Sequence, residues 1–134
     1  MKYNPTVWGP QYWFVLHTIA RIYPEKPTTT MRKKYYQFIQ NFPLFIPDPK
    51  MANKFIEILD DYPVSSYLDS RYSLMRWMNF IHNKVNKSNI SFQEGKRSYL
   101  EHYIPKKNKH KKSYTFWVSV GSLFLVFFYA LYNK

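Results

Sequence analysis

The chain has 134 residues, 46% of them hydrophobic and 21% aromatic, a formal charge of +12 and no cysteine. That length and composition predict one folded domain with an appendage and exclude global disorder. The missing cysteines exclude a disulfide, a thiolate metal site or a thiol nucleophile within this chain.

Met1-Lys2-Tyr3-Asn4-Pro5 shows no secretory signal and leads into Trp8-Gly9-Pro10, where a first helix is expected to open with Pro in its first turn. Trp13, Leu16, His17, Ala20 and Arg21 share one face until Pro24 stops the helix. Thr28 to Thr30 offer N-cap oxygens for a second helix, with Met31, Tyr35, Phe38, Ile39 and Phe42 as its buried stripe and Pro43 near its end. The apolar linker Leu44-Phe45-Ile46-Pro47 follows. Asp48 before Pro49 is a strong start for a third helix, which turns Met51, Phe55, Ile58, Leu59 and Tyr62 inward and stops at Pro63. A fourth begins at Asp69 or Ser70, runs to about Lys87 and buries Leu74, Trp77, Met78, Ile81 and Val85. Ser91-Phe92-Gln93-Glu94 is a capping box for a shorter fifth helix, expected to end near Pro105. No segment alternates with period two for long enough to predict a strand. The expected fold is all-α: a four-helix bundle with a short fifth helix.

The charge is unevenly placed. Residues 1–105 carry +6 of it, and Lys106, Lys107, Lys109, Lys111 and Lys112 add +5 within seven residues. Ser113 to Asn133 follows, 21 residues without a charge. As a helix this segment would span about 30 Å, the thickness of a bilayer core. Tyr114, Trp117, Tyr129 and Tyr132 near its ends fit interfacial aromatic belts. The alternative is a buried core helix, but a soluble helix rarely lacks a polar face over so many turns. The expected organisation is therefore a body over 1–105, a juxtamembrane linker over 106–112 and a single transmembrane helix over 113–133. The lysines would keep the body on the cytosolic side and meet anionic lipid headgroups at Lys106–Lys112. Nucleic-acid binding through phosphate neutralisation is not expected, because the basic run directly precedes the uncharged segment. The glycosylation patterns Asn86-Lys87-Ser88 and Asn89-Ile90-Ser91 would stay unused in the cytosol.

Two histidine motifs carry the chemistry. The first joins Trp8-Gly9-Pro10, Trp13, Leu16-His17-Thr18, Ala20, Tyr23-Pro24 and Pro27-Thr28; the second joins Trp77 to His82-Asn83-Lys84-Val85-Asn86. On a helix, His82 and Asn86 are four apart and Asn83 and Asn86 three apart, so they can line one side of a cleft. Asn supplies donors and an acceptor and a neutral His one of each, an inventory suited to the ribose, phosphate and ring edges of a nucleotide. Trp13 beside His17 suits stacking on adenine or isoalloxazine. Satisfied core polar groups are the plainer alternative, outweighed by two motifs that agree in type and spacing. His102 and His110 have no carboxylate or thiolate companions at metal-ligand spacing, and no metal is expected.

In this order and about sixty-five residues apart, the motifs resemble the Erv/ALR family of FAD-linked sulfhydryl oxidases over residues 8–103. The resemblance implies the same bundle, and an FAD surrounded by Gly9, Trp13, His17, His82, Asn83, Val85, Asn86 and Lys87, with Tyr99 of the more loosely matching fifth helix as a further neighbour. It also implies a redox Cys-x-x-Cys preceded by Pro. The matching stretch here reads Pro47-Asp48-Pro49-Lys50-Met51, so Asp48 and Met51 stand at the two thiol positions. Asn79 stands where the family often has a structural cysteine. Asp48 is expected to act as a capping anion, and Met51 to pack against a flavin ring through its sulfur.

The expected function is that of a membrane-anchored, catalytically inactive member of this kind, structural or adaptor-like, as a homodimer or with a protein partner. The resemblance to short forms in large DNA viruses suggests a viral or host membrane. One alternative is a thiol oxidase that takes its cysteines from a partner, or a flavoprotein of other chemistry. Another is a basic lipid or nucleic-acid binder that reuses the bundle.

Overall fold

Side-chain caps set the start of every long helix in the computed structural model, which describes residues 3–102. Asn4 Oδ1 accepts from Thr6 N and begins α1, Pro5–Ile22. Thr28 Oγ1 accepts from Met31 N and begins α2, Thr29–Asn41. Asp48 Oδ1 accepts from Met51 N at 3.0 Å and begins α3, Pro49–Asp61. Ser70 caps α4, Arg71–Asn86, through Ser73 N. Ser91 and Glu94 form the expected capping box of α5, Phe92–Glu101, and the Ser91 hydroxyl holds the Glu94 carboxyl below its usual pKa. Each cap satisfies an N–H that the helix cannot bond itself. Short 3-10 helices at Phe42–Phe45 and Val64–Tyr67 bridge the prolines between α2, α3 and α4.

The described residues are all helical, as expected, with four corrections. α1 begins at Pro5, not near Trp8, because Asn4 caps one turn earlier; Pro10 therefore lies inside the helix. Met31 and Phe38, assigned to the buried stripe of α2, are exposed. α2 meets the body through Tyr35, which packs on Tyr23, and Ile39, so its apolar face is only partly covered. The expected linker is 3-10 helix as far as Phe45 and extended only from Ile46, and α5 stops at Glu101 instead of continuing towards Pro105. The linker over 106–112 and the uncharged segment over 113–133 lie outside the described residues. Among the described residues no helix is long and apolar enough to cross a membrane.

Leu74, Trp77, Met78 and Ile81 make α4 the centre of the core, with Leu16 and Ala20 of α1 on one side and Phe55, Ile58 and Leu59 of α3 on another. Buried polar tips are used to hold the connections. The Trp77 indole donates to Tyr62 O at 3.0 Å. Tyr23, fully buried, donates from its hydroxyl to Leu68 O at 2.7 Å, and Arg71 Nε donates to Tyr23 O at 2.6 Å. These bonds fix both loops against α4, because a buried donor without a partner would cost about 1–3 kcal/mol.

α4 ends in a left-handed residue, Lys87, at φ 52°. Its N–H and that of Ser88 both reach Asn83 O, which terminates the helix. The left-handed region costs a non-glycine residue about 1–2 kcal/mol. Lys87→Gly should therefore raise the stability of the body by about 1 kcal/mol, net of the extra freedom glycine gives the unfolded chain. Urea denaturation measures it, and a lowered midpoint would mean that the lysine side chain contributes more than its backbone costs.

Candidate functional site

The two histidine motifs meet where α1 crosses α4. His17 Nε2 and His82 Nδ1 lie 3.0 Å apart, one donating and the other accepting. Trp13, one turn before His17, stacks on the His82 ring with centroids 4.0 Å apart and planes 13° from parallel. Phe55 of α3 closes the back of this stack at 6.2 Å from Trp13. Burial disfavours the charged form of both imidazoles. It lowers the His17 pKa to about 4, helped by His82 and then Arg21, and it lowers His82 to about 4. The pair is therefore two neutral rings sharing one hydrogen bond at neutral pH.

Around it opens a cleft of about 380 Å³, within the size range of small-molecule sites. Of the residues expected at a nucleotide, Gly9, Trp13, His17, His82, Asn83, Val85, Asn86 and Tyr99 all line it. Met51 lines it as well, from the first turn of α3. Lys87 does not; its structural role is the left-handed turn that closes α4. Asp48 does not either, since its carboxylate is engaged as the cap of α3.

Asn83 lines the cleft in a different sense from that expected. Its Oδ1 accepts from Ser88 Oγ at 2.8 Å and Ile90 N at 3.1 Å, and its Nδ2 donates to Ile90 O at 2.8 Å. With both ends of the carboxamide engaged, Asn83 is a clamp on the loop between α4 and α5. Asn79, one turn earlier, donates to the same Ile90 carbonyl at 3.2 Å. α5 can come this close because residue 95 is glycine: a Cβ there would collide with Asn79 Oδ1. The loop and α5 thus form one wall, presenting Tyr99 stacked on Phe14 at 5.3 Å and hydrogen-bonded to Thr18.

His102, Phe14 and Trp8 are among the cleft residues not anticipated as ligand neighbours from the sequence. His102 packs on Phe14 at 5.7 Å and bonds Ser98 O through Nδ1 at 2.9 Å. Phe14 itself was hidden among other apolar residues. Trp8 packs edge-on against Tyr12 at 5.1 Å, and its indole nitrogen is buried with no hydrogen-bond partner among the described residues. Aromatic walls with few polar groups fit a flat ligand such as the flavin dinucleotide that the resemblance implies. Among the described residues no group of three or more potential ligating side chains could hold a metal ion.

The neutral histidine pair sets a pH dependence. As pH falls below 6.5 the unfolded chain protonates both imidazoles, while the folded pair resists until about pH 4. The unfolded state binds more protons across that window, so stability should fall as pH falls, with a slope approaching one proton per histidine. Urea midpoints taken between neutral pH and the acid end of that window should show it. Imidazole resonances that titrate at the ordinary histidine value in the folded protein would rule it out.

Comparison with known proteins identifies the family. The profile of the Erv1/Alr family matches residues 10–103. A probable FAD-linked sulfhydryl oxidase of Acanthamoeba polyphaga mimivirus is 30% identical over 119 residues, covering 85% of this chain and 81% of that protein. The FAD-linked sulfhydryl oxidase of African swine fever virus is 29% identical, covering 69% and 79%. The chain spans only about two fifths of the cellular oxidases it matches, such as that of Arabidopsis thaliana, of which it covers 41% at 34% identity. Among solved structures, the yeast Erv1 core superposes with a TM-score of 0.60 at 32% identity, over 63% of this chain and 70% of the other. The FAD binding domain of yeast Erv1 gives the same score and identity, with 79% of that chain covered.

Proposed function

This chain belongs to the Erv1/Alr family, and on that premise we propose that it binds FAD in the α1–α4 cleft and has lost thiol oxidation, acting as a structural or adaptor member of the family. The observation that carries the loss is the first turn of α3. Met51 faces the cleft at the position matching one family thiol, and Asp48, at the other, is engaged in capping. Flavin supplies two-electron redox chemistry when bound, and a dithiol substrate reaches it only through a sulfur that can ionise and exchange. A thioether has no ionisable proton, a carboxylate cannot exchange with a disulfide, and the chain contains no cysteine.

What the chain's own residues do is bind and orient. Trp13 and His82 form a stacked wall for a planar ring, and the neutral His17–His82 pair keeps one donor and one acceptor beyond its mutual bond without adding charge. Asn86 stands exposed at the rim of the cleft, within reach of a sugar or phosphate. Met51 supplies a polarizable contact to an aromatic ring.

The full-length protein, purified in detergent, should shift and quench added FAD. Given excess dithiol, it should then take up oxygen no faster than free FAD does. No change in the flavin spectrum would end the flavoprotein reading. Turnover clearly above free FAD would favour the alternative, a flavoprotein that oxidises thiols without cysteines of its own.

The anchor belongs to the same proposal. The uncharged stretch over 113–133 behind five lysines supports a single-pass membrane protein with its body in the cytosol, in a viral or host membrane, with anionic headgroups at Lys106–Lys112. Full-length chain should stay with membranes through alkaline carbonate extraction, and a chain ending at Pro105 should wash off. Equal extraction of the two would remove the anchor.

A further inference from the structure

From Lys26 to Pro47 the chain has 22 residues, four cations and no carboxylate. Those cations, Lys26, Arg32, Lys33 and Lys34, supply +4 of the +6 carried by residues 1–105. All four are exposed, and none has a carboxylate within ion-pair distance among the described residues. The same stretch contains α2 and the 3-10 turn after it, and it leaves large apolar side chains uncovered. Met31, Tyr36 and Phe38 are exposed on α2, and Leu44 and Phe45 are 77% and 65% exposed in the turn.

The backbone beneath these side chains is firmly held. Ile39, Phe42 and Pro43 alternate with them and are buried, and the Tyr12 hydroxyl donates to Phe45 O at 2.9 Å. Met31, Lys34 and Phe38 recur at i, i+3 and i+7, so one side of α2 carries apolar groups with a cation between them. An occupant of this face has to be both apolar and anionic. A second copy brings four more cations and no carboxylate in the same stretch. A nucleic acid would meet the cations and leave Leu44 and Phe45 in water. A bilayer with anionic headgroups offers both chemistries at once. The chain's layout agrees: only ten residues, 103–112, separate the described body from the uncharged segment over 113–133. That length of chain spans at most about 35 Å, so an inserted segment keeps the body within reach of the membrane surface.

We propose that α2 and the 3-10 turn after it form a membrane-docking surface for an anionic bilayer, with Arg32, Lys33 and Lys34 at the headgroups and Leu44 and Phe45 at the acyl boundary. Its membrane setting rests on the anchor reading above, and it goes further by naming the face of the body that meets lipid. Docking of this kind is peripheral and yields to alkaline carbonate, so the extraction test of the anchor is unaffected.

The chain has no cysteine, so a nitroxide can be attached at one chosen residue. Full-length Leu44→Cys, and Asp60→Cys on the exposed side of α3 as control, are labelled and reconstituted in phosphatidylcholine bilayers with and without phosphatidylserine. Oxygen, which concentrates in lipid, and a water-soluble nickel chelate report which phase each label meets. With phosphatidylserine, the label at 44 should gain contact with oxygen and lose contact with the chelate, while the label at 60 stays in water. Arg32→Gln, Lys33→Gln and Lys34→Gln together should lower the ratio of lipid-facing to aqueous label at 44 about a hundredfold, at about fivefold per cation. High salt should release the label without any substitution. A label at 44 that stays in water on phosphatidylserine bilayers overturns the proposal. So does spin–spin broadening at 44 that persists in detergent, because a second copy then covers this face. Flotation with vesicles reads the anchor separately. A chain that floats with phosphatidylserine vesicles but not with phosphatidylcholine alone has lost the anchor and kept the docking surface; one that floats with neither has lost both.

Discussion

His17 and His82 face each other across the α1–α4 crossing at 3.0 Å, and much of the body can be read as the surroundings that this contact requires. Two imidazoles that close repel each other if both are charged, so the contact persists only where protonation is disfavoured. Burial provides that condition: Trp13 of α1 stacks on His82, and Phe55 of α3 packs against Trp13 in turn. Leu16 and Ala20, on either side of His17 along α1, then pack into the core beside Ile81 and Met78. The polar pair fixes which faces of the two helices meet, while the apolar residues around it supply most of the burial energy.

The remaining walls depend on that crossing in a graded way. α5 is positioned by α4 through Asn79 and Asn83, whose carboxamides converge on the Ile90 carbonyl, and a Cβ at residue 95 would displace the Asn79 side-chain oxygen. α3 is positioned by Phe55, Ile58 and Leu59 in the core, and its first turn carries Met51 to the cleft. Lys54 Nζ also reaches Val85 O near the end of α4 at 3.0 Å, placing a cation where helix carbonyls are left over. The long helices that line the cleft beside α4, namely α1, α3 and α5, each contact it.

The unexplained features of the described body gather at the cleft. An unpaired buried indole, a helical glycine without a neighbour and a proline inside α1 occur in consecutive residues. Each is unfavourable for an isolated helix, and consistent local choices are what a fold under selection for stability alone would show. Outside this turn, the other large buried polar tips, Trp77, Tyr23 and Tyr99, all have partners.

By itself the sequence determined what depends on neighbouring residues: helix starts at Asp48, Ser70 and Ser91, stops at Pro24 and Pro63, and the core faces of α3 and α4, because caps, prolines and helical periodicity act within a few residues. It also identified the family, since both histidine motifs can be read along the chain without knowing where they meet. It overestimated Met31 and Phe38, because periodicity gives the direction of a face and not whether another element covers it. It placed the start of α1 too late, taking Pro10 for a first-turn proline when Asn4 and Pro5 already served. Only the tertiary structure decided that His17 and His82 share a hydrogen bond, that Asn83 turns to its own loop, and that the Trp8 indole is left without an acceptor among the described residues. Those outcomes depend on groups up to 65 residues apart arriving at one crossing. Residue type fixes what a side chain can donate or accept, while only packing fixes which partner it meets.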